Sequence, residues 1–143
     1  MSSDSVCETN AHGTKYWYLN GNLHRVGGPA IEYANDGKVW YLNGKFHRVG
    51  GPAIEDADGG KEWYLNGELH RVDGPAIEHS NGNKYWYLND KLNRADGPAI
   101  ELVHGGKQWY LNDKRCKPIE VFKAATHEQQ IHMLCFYASE FMP

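Results

Sequence analysis

The sequence predicts a mainly β protein: an elongated, twisted sheet of stacked 23-residue β-hairpin repeats that ends in a C-terminal α-helical cap. Three observations predict it. First, the segment "KEWYLNGELHRVDGPAIE" from Lys61 recurs as "KYWYLNGNLHRVGGPAIE" from Lys15, "KVWYLNGKFHRVGGPAIE" from Lys38 and "KYWYLNDKLNRADGPAIE" from Lys84, and in shortened form as "KQWYLNDKRCKPIE" from Lys107. Second, Trp17, Trp40, Trp63, Trp86 and Trp109 stand 23 residues apart throughout, and Pro29, Pro52, Pro75 and Pro98 keep the same step. A fixed period of this length is the mark of a repeat architecture in which neighbouring units share one core. Third, every copy alternates turn pairs with short runs of β-forming residues.

The elements follow in chain order. Residues 1–14 read as a half-repeat cap, because "VCETNAHG" resembles half a repeat with one residue inserted. Residues 15–117 are the repeats proper. Asn20-Gly21, Asn43-Gly44 and Asn66-Gly67, with Asn89-Asp90 and Asn112-Asp113 later, follow the Trp-Tyr-Leu run. Asp36-Gly37, Gly59-Gly60, Asn81-Gly82 and Gly105-Gly106 precede the Lys-x-Trp run. Such pairs tolerate positive φ and mark tight turns. Lys-x-Trp-Tyr-Leu and Pro-Ala-Ile-Glu are therefore the strands, joined as a hairpin by the HRVDG segment. Alternation along a strand puts Trp and Leu on one face and Tyr on the other. The expected core is a ladder of the five tryptophans with Leu19, Leu42, Leu65, Leu88 and Leu111, and a second ladder of Ile31, Ile54, Ile77 and Ile100, since one hairpin alone is marginal in water.

Residues 118–143 leave the pattern. Thr126 followed by Gln129 reads as a capping box, and Ile131, Leu134, Cys135, Ala138 and Phe141 follow at helical spacing. The spacing predicts a helix over 127–141, with a shorter helical turn from Pro118. Ile131, Leu134, Ala138 and Phe141 are expected to face the sheet. Met133, Phe136 and Tyr137 widen the apolar surface and are expected to meet a protein partner or a second copy of the chain.

Composition narrows the function classes. The chain has 143 residues, a formal net charge of −3 and a mean hydropathy of −0.69. That balance disfavours general nucleic-acid binding. No apolar run approaches the roughly 20 residues of a membrane span, and residues 1–10 lack the basic and apolar regions of a signal peptide. Cys7, Cys116 and Cys135 have no paired spacing, which points to a reducing compartment, the cytoplasm.

The repeated polar residues do not form a catalytic constellation. His24, His47, His70 and Asn93 recur once per unit, so equivalent atoms are about 9–10 Å apart, twice the strand spacing. A zinc ion with ligands at about 2.0–2.1 Å cannot bridge them. Glu32, Glu55, Glu78 and Glu101 form a uniform ladder whose rungs share one environment, so it separates no acid from a base. Each is expected to pair with a neighbouring Arg25, Arg48, Arg71 or Arg94 or with a repeat Lys, and each Arg to stack on the Trp or Tyr of an adjacent rung. No catalytic residue, metal or cofactor is expected, and the chain reads as a non-enzyme. The alternative use of the same ladder is to hold phosphates or stack bases.

The pattern W-x-x-N-G-x-x-H-x-x-x-G, followed by a hairpin and another aromatic-x-W run, resembles MORN (membrane occupation and recognition nexus) repeats over about residues 10–117. It is most similar to the variant "WYLNGKLHREDGPA" of phages, giant viruses and bacteria. His-Arg stands here where the common unit has His-Gly, and a proline follows the next glycine. The resemblance implies an interaction scaffold that binds a protein. For a viral protein that partner would be a host factor in the host cytoplasm, such as a defence component that is bound or inhibited. Sequestration of a small anionic or nucleotide ligand by the Arg/aromatic face and antitoxin-like partner binding are the alternatives. The candidate contact residues are Arg48, Arg71 and Tyr64 on the repeats and Met133, Phe136 and Tyr137 on the helix. A homodimer through that helix is a further expectation.

Overall fold

A computed structural model describes residues 4–142. Residues 1–3 of the expected N-terminal cap, and residue 143, lie outside the described residues. The chain is mainly β, with short antiparallel strands stacked into one unclosed 12-stranded sheet and three two-stranded hairpins beside it. The order along the main sheet follows the order along the chain, two strands per repeat.

Within the first repeat, Lys15–Leu19 pairs with Ile31–Glu32, placing Lys15 opposite Glu32 and Tyr16 opposite Ile31. The next repeat joins through Ile31 opposite Val39 and Glu32 opposite Lys38. The same register returns at Ile54 with Glu62 and at Ile77 with Tyr85. A Lys–Glu pair therefore crosses every junction on one face of the sheet, where opposite charges favour the register.

The second hairpin of each unit is an addition to the sequence expectation. Tyr41–Leu42 turns through Asn43-Gly44 into Lys45–Phe46. Asn43 and Gly44 have φ of 50° and 76°, as a tight hairpin turn of this length requires. The strand is not continuous through tryptophan in the inner repeats. Trp40 donates its N–H to the Ala53 carbonyl at 2.7 Å and accepts from the His47 N–H at 3.1 Å, so it is the corner between the two hairpins. The HRVGGP and HRVDGP segments then carry the chain back to the main sheet as irregular loops.

Neighbouring units are also tied at the Asn-Gly turns. Gly44 N–H donates to Leu23 O at 2.9 Å, and Asn43 N–H donates to His24 Nδ1 at 3.0 Å. His47 and His70 do the same for Asn66 and Asn89, and Asn93 replaces the imidazole with its amide oxygen toward Asn112. Asp90 and Asp113 stand where earlier copies have glycine. They adopt φ of 62° and 65°, and their carboxylates accept the Leu69 and Leu92 N–H groups.

The core differs from the expected tryptophan ladder. The residues at 0 % exposure in every repeat are Ala30, Ala53, Ala76 and Ala99. Neighbouring rungs come together at these positions with room only for a methyl group. Trp17, Trp40, Trp63 and Trp86 are half-buried, and only Trp109 is fully enclosed. Of the isoleucines only Ile31 is buried, beside Val39.

Both ends are distinct. Val6–Thr9 pairs with Lys15–Leu19, taking the place that Ile31–Glu32 occupies in the next junction. At the other end Lys107–Leu111 pairs with Lys114–Cys116, and the chain enters helix α1 (Pro118–Ala124) and helix α2 (His127–Tyr137), followed by a 3-10 turn over Ala138–Phe141. Thr126 caps α2 as the sequence predicts, exchanging hydrogen bonds with Gln129 at 2.8 and 3.3 Å.

The inward face of the C-terminal segment differs in part from the expected one: Phe141 packs inward and Phe136 is exposed as expected, but Met133 and Tyr137 replace Ile131, Leu134 and Ala138 on the inner side. Met133 is fully buried with Trp109 and Val121, and Tyr137 and Phe141 pack on the same cluster. Ile131, Leu134 and Phe136 face outward. The cap is thus anchored on the last tryptophan, which explains why that ring alone is buried.

Candidate functional site

Each HRV-x-GP loop is built around one side chain. Arg25, Arg48, Arg71 and Arg94 lie over Trp17, Trp40, Trp63 and Trp86, with guanidinium carbons 3.8–3.9 Å from the ring centroids. The partner is the tryptophan of the same unit, not that of an adjacent rung. Each Nη1 donates to the carbonyl of the loop proline, Pro52 at 3.0 Å for Arg48, and to the unit's glutamate, Glu55 at 2.8 Å. The expected Arg–Glu pairing is present in all four units. The other side of the guanidinium rests on a glycine: a Cβ on Gly51 would lie 2.9 Å from Arg48 Cζ, and one on Gly74 would lie 2.8 Å from Arg71 Cζ. This close approach explains the glycine before every loop proline, which has no positive φ to explain it.

Arginine folded back in this way leaves the next residue at the crest. Val26, Val49 and Val72 are 78, 81 and 83 % exposed and stand one repeat apart. Two clefts of about 350 and 430 Å³ lie between successive crests, and a third of about 550 Å³ lies between Val72 and Ala95. The first runs from Arg25–Gly28 to Val49 over Trp40 and Leu42, and the second from Arg48–Pro52 to Asp73 over Trp63 and Leu65. The third lies over Trp86 and Leu88 and is walled by Gln129 and His132 of α2. Crests and clefts alternate with the period of the sheet, about 9.6 Å for two strands per repeat.

The sequence-predicted contact residues are divided by this geometry. Arg48 and Arg71 line the middle cleft. Tyr64 lies away from it, half-buried, with its hydroxyl donating to Glu62 at 2.9 Å and its ring 4.9 Å from Phe46. Burial raises its pKa above the usual tyrosine value, and the Glu62 contact adds to the shift. Phe136 is exposed on α2. Met133, expected on a partner surface, is interior and touches a partner only if the cap opens. Tyr137 is half-buried and faces the last repeat. Its hydroxyl donates to Glu101 at 2.5 Å, and its pKa is pushed up to about 12 by burial and by that bond. Glu101 also receives Arg94 Nη1 at 2.7 Å, so the cap completes the fourth Arg–Glu pair. Burial disfavours the Arg94 charge, but Asp96, Tyr137 and Glu101 outweigh it and its pKa is raised.

The valine crests were missed by sequence reasoning. The signal was present as an apolar residue at one fixed place in a polar loop, Val26, Val49 and Val72, giving way to Ala95 in the fourth unit. Among the described residues no group of three or more His, Cys, Asp or Glu side chains is placed to hold a metal ion, and no helix is long and apolar enough to cross a membrane. In comparisons with known proteins, no family model matched the chain, and no curated protein did.

Proposed function

We propose that this chain is a MORN-like repeat scaffold that binds a partner protein without catalysing a reaction, and that the row of clefts is its docking surface. The observation that carries this reading is the line of valine crests. Three β-branched apolar side chains, each more than three-quarters exposed, border clefts floored by Trp and Leu at a regular spacing. Exposed apolar side chains grouped in this way mark interaction sites. The Trp and Leu floor with polar walls suits an extended segment of a partner, which would place side chains several residues apart in successive clefts. One face and the Nη1 of every loop arginine are already committed to the fold, held by a tryptophan, a carbonyl and a glutamate. The same fact weighs against base stacking on the tryptophans, because each inner indole already has one face covered by its own guanidinium.

Selection from a random-peptide display library on the wild-type protein tests the reading. Selected peptides should bind the Val49→Asp/Val72→Asp variant at least tenfold more weakly, at an unchanged denaturation midpoint because both side chains are in solvent. Equal binding to the two proteins would remove the clefts as the docking surface.

A further inference from the structure

The clefts differ chemically at one loop position. In the third and fourth loops this position is Asp73 and Asp96; in the first two it is Gly27 and Gly50. Asp73 accepts the Arg71 Nε–H at 3.0 Å, and Asp96 accepts the Arg94 Nε–H at 2.8 Å. Arg25 and Arg48 keep every other feature of the arrangement, including the tryptophan, the proline carbonyl and the glutamate. Their Nε groups have no partner among the described residues. These two side chains are each 30 % exposed, against 21 and 10 % for Arg71 and Arg94. The space is open as well: a Cβ built on Gly27 or Gly50 meets no heavy atom within 4 Å.

Each of these guanidinium groups is therefore held by its ring, carbonyl and carboxylate partners while its Nε–H has no acceptor among the described residues. Little side-chain freedom remains to be lost when a ligand arrives, which favours binding. The chain itself displays the ligand chemistry, since the same edge in the later loops holds a carboxylate oxygen. Arg71 bears Glu78 and Asp73 together, so a second carboxylate is compatible with the first.

The spacing selects the shape of the partner. Equivalent atoms of Arg25 and Arg48 are one repeat apart, about 9.6 Å. A polyproline II segment rises about 3.1 Å per residue with three residues per turn, so residues i and i+3 share a face about 9.3 Å apart. A β-strand places same-face residues at multiples of about 6.8 Å and does not match. A helix matches less well, at about 10.5 Å for residues seven apart. We propose that Arg25 and Arg48 are receptor sites for two carboxylates, three residues apart, of an acidic polyproline II segment of the partner protein, whose intervening residues pack between the valine crests. This narrows the cleft reading above and rests on it.

The test uses the full chain and fluorescently labelled (Glu-Pro-Pro)5 and (Gln-Pro-Pro)5 peptides, with binding followed by anisotropy at low salt. The glutamate peptide should bind roughly tenfold tighter, as expected for two partly exposed ion pairs. Gly27→Asp/Gly50→Asp installs the carboxylates of the later loops and should abolish that advantage. Because both glycines have positive φ, 81° and 80°, a second variant is needed that does not depend on how those loops adjust. Asp73→Gly bares a third arginine and should increase the advantage roughly threefold. Equal binding of the two peptides, with both lost in Val49→Asp/Val72→Asp, would overturn the carboxylate sites and leave the cleft reading standing. If neither peptide binds, the polyproline assignment is overturned, while display selection still decides the clefts. Tighter binding of a ten-residue oligothymidylate than of the glutamate peptide, lost in Gly27→Asp/Gly50→Asp, would assign the sites to phosphate and also overturn the proposal.

Discussion

Truncating Arg71 to alanine separates the structural part of the repeat from its surface. The side chain lies 3.8 Å from the Trp63 centroid and donates to Pro75 O at 3.0 Å and Glu78 at 2.9 Å, with one-fifth of its surface in solvent. A partly desolvated cation over an indole contributes about 1 kcal/mol. The hydrogen bond to the proline carbonyl adds about 1 kcal/mol, since the acceptor is left in a half-closed loop when the donor goes. The Glu78 pair adds up to about 1 kcal/mol after discounting for solvent. The expected loss is therefore about 2–3 kcal/mol, to which the side-chain stem covering the ring adds. Urea denaturation followed by tryptophan fluorescence measures it, and the native emission should shift to the red as Trp63 is uncovered. Arg71→Met keeps the stem and should lose about half as much. A loss below about 0.5 kcal/mol with unchanged emission would refute the view that the arginine ladder belongs to the fold.

Three further outcomes follow from burial and charge. Trp109→Ala should cost about 3–5 kcal/mol, the range for a buried aromatic, and more than Trp63→Ala, whose ring is half-buried; the opposite order in urea denaturation would contradict the cap packing. Ala76→Leu should destabilise by about 1–3 kcal/mol or more, because the site is closed and the added carbons must displace a neighbouring rung; a neutral result by the same assay would mean that the rungs are not in close contact. Tyr137 is held neutral in the fold, with its pKa raised from 10.0 to about 12. Its contribution is complete below pH 10 and is lost as pH rises toward 12, where the unfolded chain ionises and the folded chain resists. Urea midpoints at pH 9 and 11.5 should therefore fall further for the wild type than for Tyr137→Phe, and parallel losses would be the contrary result.

The period and the turn chemistry carried the architecture into view from the sequence. The spacing of Trp17 to Trp109 set the unit, and Asn43-Gly44 and its equivalents located turns that have the expected positive φ. The core is less legible, because hydrophobic size is a poor guide to burial in this stack. Adjacent strands of the main sheet are only about 4.8 Å apart, so the closed position accepts alanine, while the larger indole is left at the edge and covered by an arginine. Period-2 reading also assumed a continuous strand through Lys-Val-Trp-Tyr-Leu, whereas Trp40 turns a corner between two hairpins. On α2, spacing alone placed Ile131 and Leu134 inward. The rotation of a short helix is set by what it meets, and Trp109 takes Met133, Tyr137 and Phe141. The valine crests were hidden for a similar reason: exposure depends on the arginine beside them folding back, which no local pattern states.

The central claim is that the arginine–tryptophan stacks build the fold while the valine crests and the clefts between them do the binding. Chemical-shift mapping with a display-selected peptide on isotopically labelled protein tests it most directly. The account predicts that the largest shifts fall on the amides of residues 49–51 and 72–74 and on the indole N–H of Trp63. Shifts concentrated instead on Ile131, Leu134 and Phe136 of α2, with the loops unmoved, would contradict it and place the docking surface on the cap.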